Sequence, residues 1–350
     1  MGFSMLRFVN AFLLAAVVAL TLSGLYGLFW TLNGWVFDLH RAAGWALLAA
    51  LPAKALISFR SLRRRLGPGR EGGREGWALG VSLLLSGALL VVLGLGLLWP
   101  LRLGPAIYPL RQTAVSWHWM LALGLLLPFV LHVLLRWPRP RRSDLLSRRA
   151  ALRLAGLSAA ALAGWRLVEA LAEARAEAES PRRISGSRRE GAFSGNRFPV
   201  THSREAAPVD PDEWRLEVQG AASGPRSYTY AELLTLPQEE TVASLDCTLG
   251  WYTVQNWQGV RLLSLLGSEG MESPPDQDGR PGFGLGVWLE SVTGYAHFLP
   301  AAEARLVLLA THVGGETLEH LHGYPLRAVV PTRRGWFWVK WIRKIELVSL

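Results

Sequence analysis

Apolar residues are spread unevenly along this chain. Before about residue 136 they fall in four long runs, and after residue 193 they fall in short stretches broken by Gly and Pro. The runs are Val9 to Trp30, Trp35 to Phe59, Trp77 to Trp99 and Ala114 to Arg136, each near the ~20 residues that a helix needs to cross a bilayer. They predict four transmembrane helices. The first is too long, and too closely followed by the second, for a cleaved signal peptide. Two connections, 60–74 (RSLRRRLGPGREGGR) and 136–149 (RWPRPRRSDLLSRR), are densely basic and the other two are not. Both basic loops and the N terminus are therefore expected on the cytoplasmic side.

Beyond the fourth run comes SRRAALRLAGLSAAALAGW, Ser147 to Trp165, with Arg148 and Arg149 ahead of a weakly apolar stretch. It looks like a twin-arginine export signal placed internally. On that reading residues near 152–170 form a fifth span and everything beyond lies outside the cytoplasm. The other reading is a stop-transfer cluster followed by an amphipathic Ala-rich helix. Residues 171–192 are charged, small and turn-forming, as in a solvated linker.

From Phe193 the pattern becomes β-branched and aromatic: WRLEVQG, RSYTYAELL, GVWLESVTGYAHF, ARLVLLATHV, PLRAVVP and WVKWIRKIELVSL read as strands. Helical turns are expected near Tyr230 to Leu236 and Leu262 to Leu266. The fold class expected is an α-helical membrane bundle of four to five helices plus a soluble α+β domain. The domains run 1–145, 146–192 and 193–350.

Charge changes little in this picture. The formal net charge is +10, and among 37 basic residues only Lys54, Lys340 and Lys344 are lysine. Such arginine bias reflects a GC-rich coding sequence, and much of the charge lies in loops beside the apolar runs. No basic and aromatic interleaving marks a nucleic-acid surface.

Within the apolar runs stand His40, Lys54, His118 and His132, polar groups that cost free energy in hydrocarbon and so are functional candidates. His40 to Lys54 and His118 to His132 are both 14 residues apart. That spacing returns to one helix face about 21 Å further on. Helices two and four run in one direction, so His40 and His118 share one depth, and Lys54 and His132 share the other. The spacing resembles that of bacterial four-helix membrane cytochromes b over about residues 8–136. The resemblance implies haem b ligated by His40 and His118, with His132 as the candidate ligand of a second haem. Lys54 departs from the pattern where a two-haem member has histidine, which reads as a lost or altered second site with the lysine reaching toward the interface.

Cys247 is the only cysteine of the 350 residues. It can form no intrachain disulfide, so any chemistry it has is that of a nucleophile or of a single soft metal ligand; the plain alternative is a small buried hydrophobe. The Cys247 segment, with Gly250, Trp251, Trp257, Gly259 and Val260, and the stretch His322 to Leu347 (HGYPLRAVVPTRRGWFWVKWIRKIEL) resemble the sulfite-oxidase-like molybdopterin oxidoreductases. That group includes the bacterial methionine sulfoxide reductase catalytic subunit. The resemblance implies the sulfite oxidase molybdopterin-binding fold, and Cys247 as catalytic molybdenum ligand. It also implies that Asn196, Ser291, His322, Arg327, Trp338 and Lys340 line the pterin site. Arginine grips phosphate through paired donors and lysine as a point charge. The bland reading of Arg327, Lys340, Arg343 and Lys344 is a solvated basic face.

Two departures bear on substrate and loop. Animal and plant sulfite oxidases have Arg-Asn-His where this chain has Gly195, Asn196 and Arg197, which weakens the case for sulfite; Arg197 or His202 are the residues left to supply the charge. Thr332, Arg333 and Arg334 stand before Gly335 where the family often has glycine directly after the proline. Tyr252, Tyr295 and His297 are candidates to reach substrate, or plain core aromatics.

The expected function is a membrane-anchored molybdenum oxidoreductase. It would move an oxygen atom to or from a small substrate, with sulfoxide-type reduction favoured over sulfite oxidation. Electrons would pass through haem b to or from the quinone pool or another membrane carrier. Its partners would be membrane lipid and a small oxo substrate, with no nucleic acid, and the C-terminal domain would sit on the periplasmic side of the inner membrane. The competing readings are a membrane hydrolase or transferase using Cys247 as nucleophile with His297, His312, His320 or His322 as base, and a cofactor-less binding module.

Overall fold

A computed structural model describes residues 3–31, 33–65, 74–98, 113–136, 140–174, 183, 187–200, 206–221, 224–267 and 285–349. Trp99, His202, residues 66–73 of the basic loop and half of the 171–192 linker lie outside the described residues. The chain divides into two compact units, Met1–Leu28 with Leu32–Ser180 and Ile184–Gly186, and Phe29–Thr31 with Pro181–Arg183 and Ser187–Leu350.

The first unit is helical: α1 Phe3–Phe29, α2 Gly34–Arg65, α3 Arg74–Leu98, α4 Ala114–Arg136, a short α5 Arg142–Leu145 and α6 Arg148–Ala174. Among the described residues, five helices (all but α5) are long and apolar enough to cross a membrane. Pro52 and Pro128 lie inside α2 and α4, as membrane helices tolerate when neighbours satisfy the freed backbone groups. The interior is built from Val9, Leu13 and Val17 of α1, Leu47, Ala50 and Leu51 of α2, and Ala150 of α6. The Arg148–Ala174 segment is one helix packed on α2. A Cβ added at Gly164 would lie 2.7 Å from the Trp45 ring, and Arg41 of α2 pairs with Glu169 of α6 while its guanidinium stacks 4.6 Å from the Trp165 ring centre.

The second unit is α+β. Its strands are β1 Arg188–Arg189, β2 Arg215–Gln219, β3 Arg226–Thr229, β4 Glu239–Asp246, β5 Trp251–Arg261, β6 Leu285–Ser291, β7 Ala296–Pro300, β8 Leu308–Val313, β9 Glu316–Thr317, β10 Arg327–Val329 and β11 Ile342–Ser349. Short helices α7 Tyr230–Thr235, α8 Leu262–Leu266 and α9 Ala301–Ala304 connect them. One sheet runs β1-β5-β8-β10 with β4 on β5 and β9 on β8; the other runs β3-β2-β11-β6-β7.

Local chemistry explains the elements. Leu216 and Val218 of β2 are buried while Arg215 and Glu217 are exposed, the alternation of a half-covered strand. Leu308, Leu309 and Ala310 of β8 are all buried, as in a central strand covered on both faces. Thr229 caps α7, accepting from the Glu232 amide at 3.1 Å. Gly259 lies where β5 shifts register against β8. A Cβ there would lie 2.0 Å from the Leu309 carbonyl oxygen, so only glycine permits that approach. The β4–β5 hairpin, not among the strands expected from the sequence, presents Cys247 at its turn: Asp246 ends β4 and Trp251 begins β5.

Candidate active site

The turn at Cys247 is tightly held. Its amide donates to the Trp251 carbonyl at 2.9 Å, its carbonyl accepts from Gly250 at 3.2 Å, and the Leu249 amide lies 3.5 Å from Sγ. Gly250 has φ +89°, a left-handed conformation that suits glycine.

Residues far apart in sequence gather near this turn. Arg327, at the start of β10, is 3% exposed; its Nη1 donates to the His322 carbonyl at 2.8 Å and its guanidinium lies 5.4 Å from the Trp257 ring centre and 5.8 Å from that of Trp338. Burial pushes its pKa down to about 9, against the opposing pull of Cys247. His322 packs its ring 4.0 Å from that of Phe198 and hydrogen-bonds the Asn196 carbonyl through Nε2 at 2.6 Å. Burial, reinforced by the charges of Arg327 and Lys340 and opposed by that hydrogen bond, pushes its pKa down to about 4. It is neutral near pH 7. Asn196 in turn donates to the Thr317 carbonyl at 2.9 Å and accepts from the Glu319 amide at 3.0 Å. Lys340 Nζ donates to the Leu321 carbonyl at 2.7 Å, and Trp338 Nε1 to that of Arg333 at 3.2 Å. Gly323, at φ +113°, lets these strands close, for a Cβ there would lie 3.2 Å from the Cβ atoms of both Arg327 and Lys340.

The structure thus brings Asn196, His322, Arg327, Trp338 and Lys340 into one linked group, with Cys247 close enough to Arg327 to act on its charge. Ser291 ends β6 in the other sheet, opposite Ile342 of β11, and its hydroxyl accepts from the Thr293 amide at 3.2 Å. Two buried nitrogens of the group, the Arg327 Nε donor and the His322 Nδ1 acceptor, have no partner among the described residues. Buried polar atoms are rarely left so, and the Arg327 donor suits a bound anion. The four histidines proposed as bases for a cysteine nucleophile hold other contacts: His297 with the Tyr295 hydroxyl at 2.7 Å, His312 with Thr311 at 2.8 Å, His320 with the Ala206 carbonyl at 2.9 Å, and His322 with Asn196.

Sequence reasoning missed Asp246, Arg183 and Ser187. Asp246 is buried beneath the turn, and Arg183 and Arg334 each reach its carboxylate at 3.3 Å. The only sequence signal was the unusual Arg333-Arg334 pair.

A scan of the chain matches the oxidoreductase molybdopterin binding domain over residues 203–349. The oxidoreductase YuiH of Bacillus subtilis is 31% identical over 156 residues, which cover 43% of this chain and 74% of that protein. The chain belongs to the molybdopterin-binding oxidoreductases. Within reach of the same family are the protein-methionine-sulfoxide reductase catalytic subunit MsrP of Gluconobacter oxydans, 28% identical over 250 residues (62% of this chain, 76% of that one), and the mitochondrial sulfite oxidase of rat, 30% identical over 195 residues (45% of this chain, 32% of that one). The chain is therefore an oxidoreductase with a molybdopterin-binding domain, and its buried cationic group fits the anionic cofactor of that family.

The helical unit carries a second cluster. The rings of His40 on α2 and His118 on α4 have centroids 6.1 Å apart and planes inclined by 75°. Each Nδ1 is already engaged, His40 with Ser23 Oγ at 2.9 Å and His118 with the Val92 carbonyl at 2.8 Å. Metal-ligating histidines are held by outer hydrogen bonds of this kind. Glycines flank both rings: a Cβ at Gly24 would lie 3.4 Å from His40 and one at Gly96 3.0 Å from His118. Lys54 donates to Asn10 Oδ1 of α1 at 3.0 Å.

Proposed function

We propose that this protein is a membrane-anchored molybdenum oxidoreductase that transfers an oxygen atom to or from a small substrate and exchanges the electrons, through a haem b, with the quinone pool. The single observation that carries the reading is the convergence of Cys247 with the buried Arg327, whose Nε donor has no partner among the described residues and suits an anion. Molybdenum on its pterin supplies oxygen-atom transfer and two-electron redox chemistry; the chain supplies binding, orientation and electrostatics. Cys247 offers the soft thiolate ligand. Arg327 would donate to the pterin's phosphate-bearing tail, with Lys340 adding positive charge and Asn196 fixing the His322 ring. Neutral His322 keeps its proton on Nε2 for the Asn196 carbonyl, so its Nδ1 would accept from a donor of the cofactor.

Membrane anchoring is supported by the five long apolar helices, which carry Leu84, Leu127, Leu134 and Leu162 on exposed positions. Haem ligation by His40 and His118 is supported by the 6.1 Å ring separation, since one metal about 2 Å from a nitrogen of each ring spaces two imidazoles by about that distance. Lys54 bonded to Asn10 favours one haem over two.

The sulfoxide direction is supported by the MsrP relatives and by Gly195. It has φ +62°, a backbone conformation that strains an arginine at that position. Purified protein should contain molybdenum and a dithionite-reducible b-type haem, and adding a sulfoxide should reoxidise that haem. Absence of both metals rejects the reading, and haem reduction by sulfite instead reverses the direction.

A further inference from the structure

Asp246, directly before Cys247, is 2% exposed, and three donors converge on its carboxylate. Arg183 Nη1 and Arg334 Nη1 each lie 3.3 Å from Oδ2, and Ser187 Oγ lies 3.4 Å from Oδ1. The two arginines then diverge. Arg183 turns its other arm to Ser244 Oγ at 2.5 Å and stacks 4.6 Å from the Tyr252 ring centre. Arg334 turns its other arm to the cysteine: Nη2 donates to the Cys247 carbonyl at 3.1 Å. Its neighbour Arg333 does neither, pairing with Glu303. The backbone after Arg334 runs beside the same place, for a Cβ at Gly335 would be in ordinary contact, 3.7 Å from Cys247 Cα.

A buried ion pair contributes little net stability, because desolvation offsets the attraction. Its value here lies in geometry. The guanidinium is a rigid planar fork, and one fork bridging a carboxylate and a carbonyl fixes both to the same frame. A catalytic sulfur must be held to within about 0.5 Å by the groups around it.

We propose that Arg334 is the positioning residue for Cys247, its two-armed guanidinium tying the cysteine carbonyl to the buried Asp246 carboxylate so that the sulfur is presented in one place. This deepens the reading of Cys247 as the reactive sulfur and rests on it.

Cys247 is the sole cysteine, so alkylation reports on it alone. Full-length protein prepared without molybdenum would be treated with N-ethylmaleimide at one fixed pH, and amide hydrogen exchange followed over 246–251, for wild type, Arg334→Gln, Arg334→Lys, Arg183→Gln, Asp246→Asn and the Arg334→Gln/Asp246→Asn pair. Arg334→Gln and Arg334→Lys should each speed alkylation and exchange about ten-fold, the scale of one lost hydrogen bond, because lysine cannot span both acceptors. Arg183→Gln should leave both within about two-fold, and the pair should be no faster than Arg334→Gln alone, as for residues acting through one link. Wild-type rates in Arg334→Gln overturn the proposal, as does an equal effect from Arg183→Gln, which would make the cluster general packing. Should Arg334→Gln lose its cooperative unfolding, Asp246→Asn decides: faster alkylation upholds the link and an unchanged rate overturns it. These readouts need no metal. A protein that shows this pattern yet binds no molybdenum would sink the functional reading and leave the positioning role standing.

Discussion

His40 and His118 face each other across α2 and α4 with ring centroids 6.1 Å apart, and each is held from behind by a hydrogen bond to Nδ1. Such second-layer bonds fix the tautomer and leave Nε2 as the ligating atom. His40→Ala and His118→Ala should each abolish the reduced-haem absorption band, whereas Lys54→Met should leave the haem-to-protein ratio at one. Ser23→Ala should keep the haem but weaken its retention by about ten-fold, the lower range for outer-shell partners. Pyridine haemochrome assays on the purified variants would check all four.

Cys247→Ser replaces a soft thiolate with a hydroxyl that stays protonated near neutrality. Turnover with a sulfoxide should fall by at least about a thousand-fold, on the scale of losing a reacting group, while the haem spectrum stays unchanged. Steady-state rates and an optical spectrum on one preparation separate the two effects. Retained turnover would move the chemistry away from this sulfur.

Arg327 is buried, pushed down to about 9, and has one arm unpartnered among the described residues. Replacing it with an apolar group of similar length removes a desolvation cost that a bound anion would otherwise repay. Arg327→Met should therefore raise the stability of cofactor-free protein, by up to about 1–4 kcal/mol on the scale seen for buried ions, and lower molybdenum content to near background. Thermal unfolding of cofactor-free protein and elemental analysis of loaded protein would show the two opposite signs.

His322 gives a pH dependence of definite direction. Its pKa of about 4 lies below its ordinary value of 6.5. Between these values the unfolded chain takes up a proton that the folded chain refuses, so folding free energy is fully present above about 6.5 and is lost as pH falls toward 4. Denaturant unfolding of cofactor-free protein across that window should show a slope that His322→Gln flattens.

Much of this protein can be read along the chain. Twenty-residue apolar runs can only be helices where no water satisfies the backbone, and all four appear as α1 to α4. The alternation in WRLEVQG becomes β2, and the capped YAELL turn becomes α7. Matching 14-residue spacings, with helices two and four running in one direction, put His40 and His118 at one level. The Cys247 hairpin was harder, since its residues are mixed in polarity and its strands are set by pairing with each other and with β8.

The amino-acid sequence determined which side chains could carry chemistry and, through periodicity, which segments become helices and strands. Only the tertiary structure decided which of those side chains meet. Asn196 finds His322 across 126 residues and Arg334 finds Cys247 across 87, distances at which sheet register and loop path, rather than local pattern, set the neighbours. The same holds for charge: whether Arg327 is a solvated cation or a buried one waiting for an anion depends on the strands packed around it, and burial is a property of the fold.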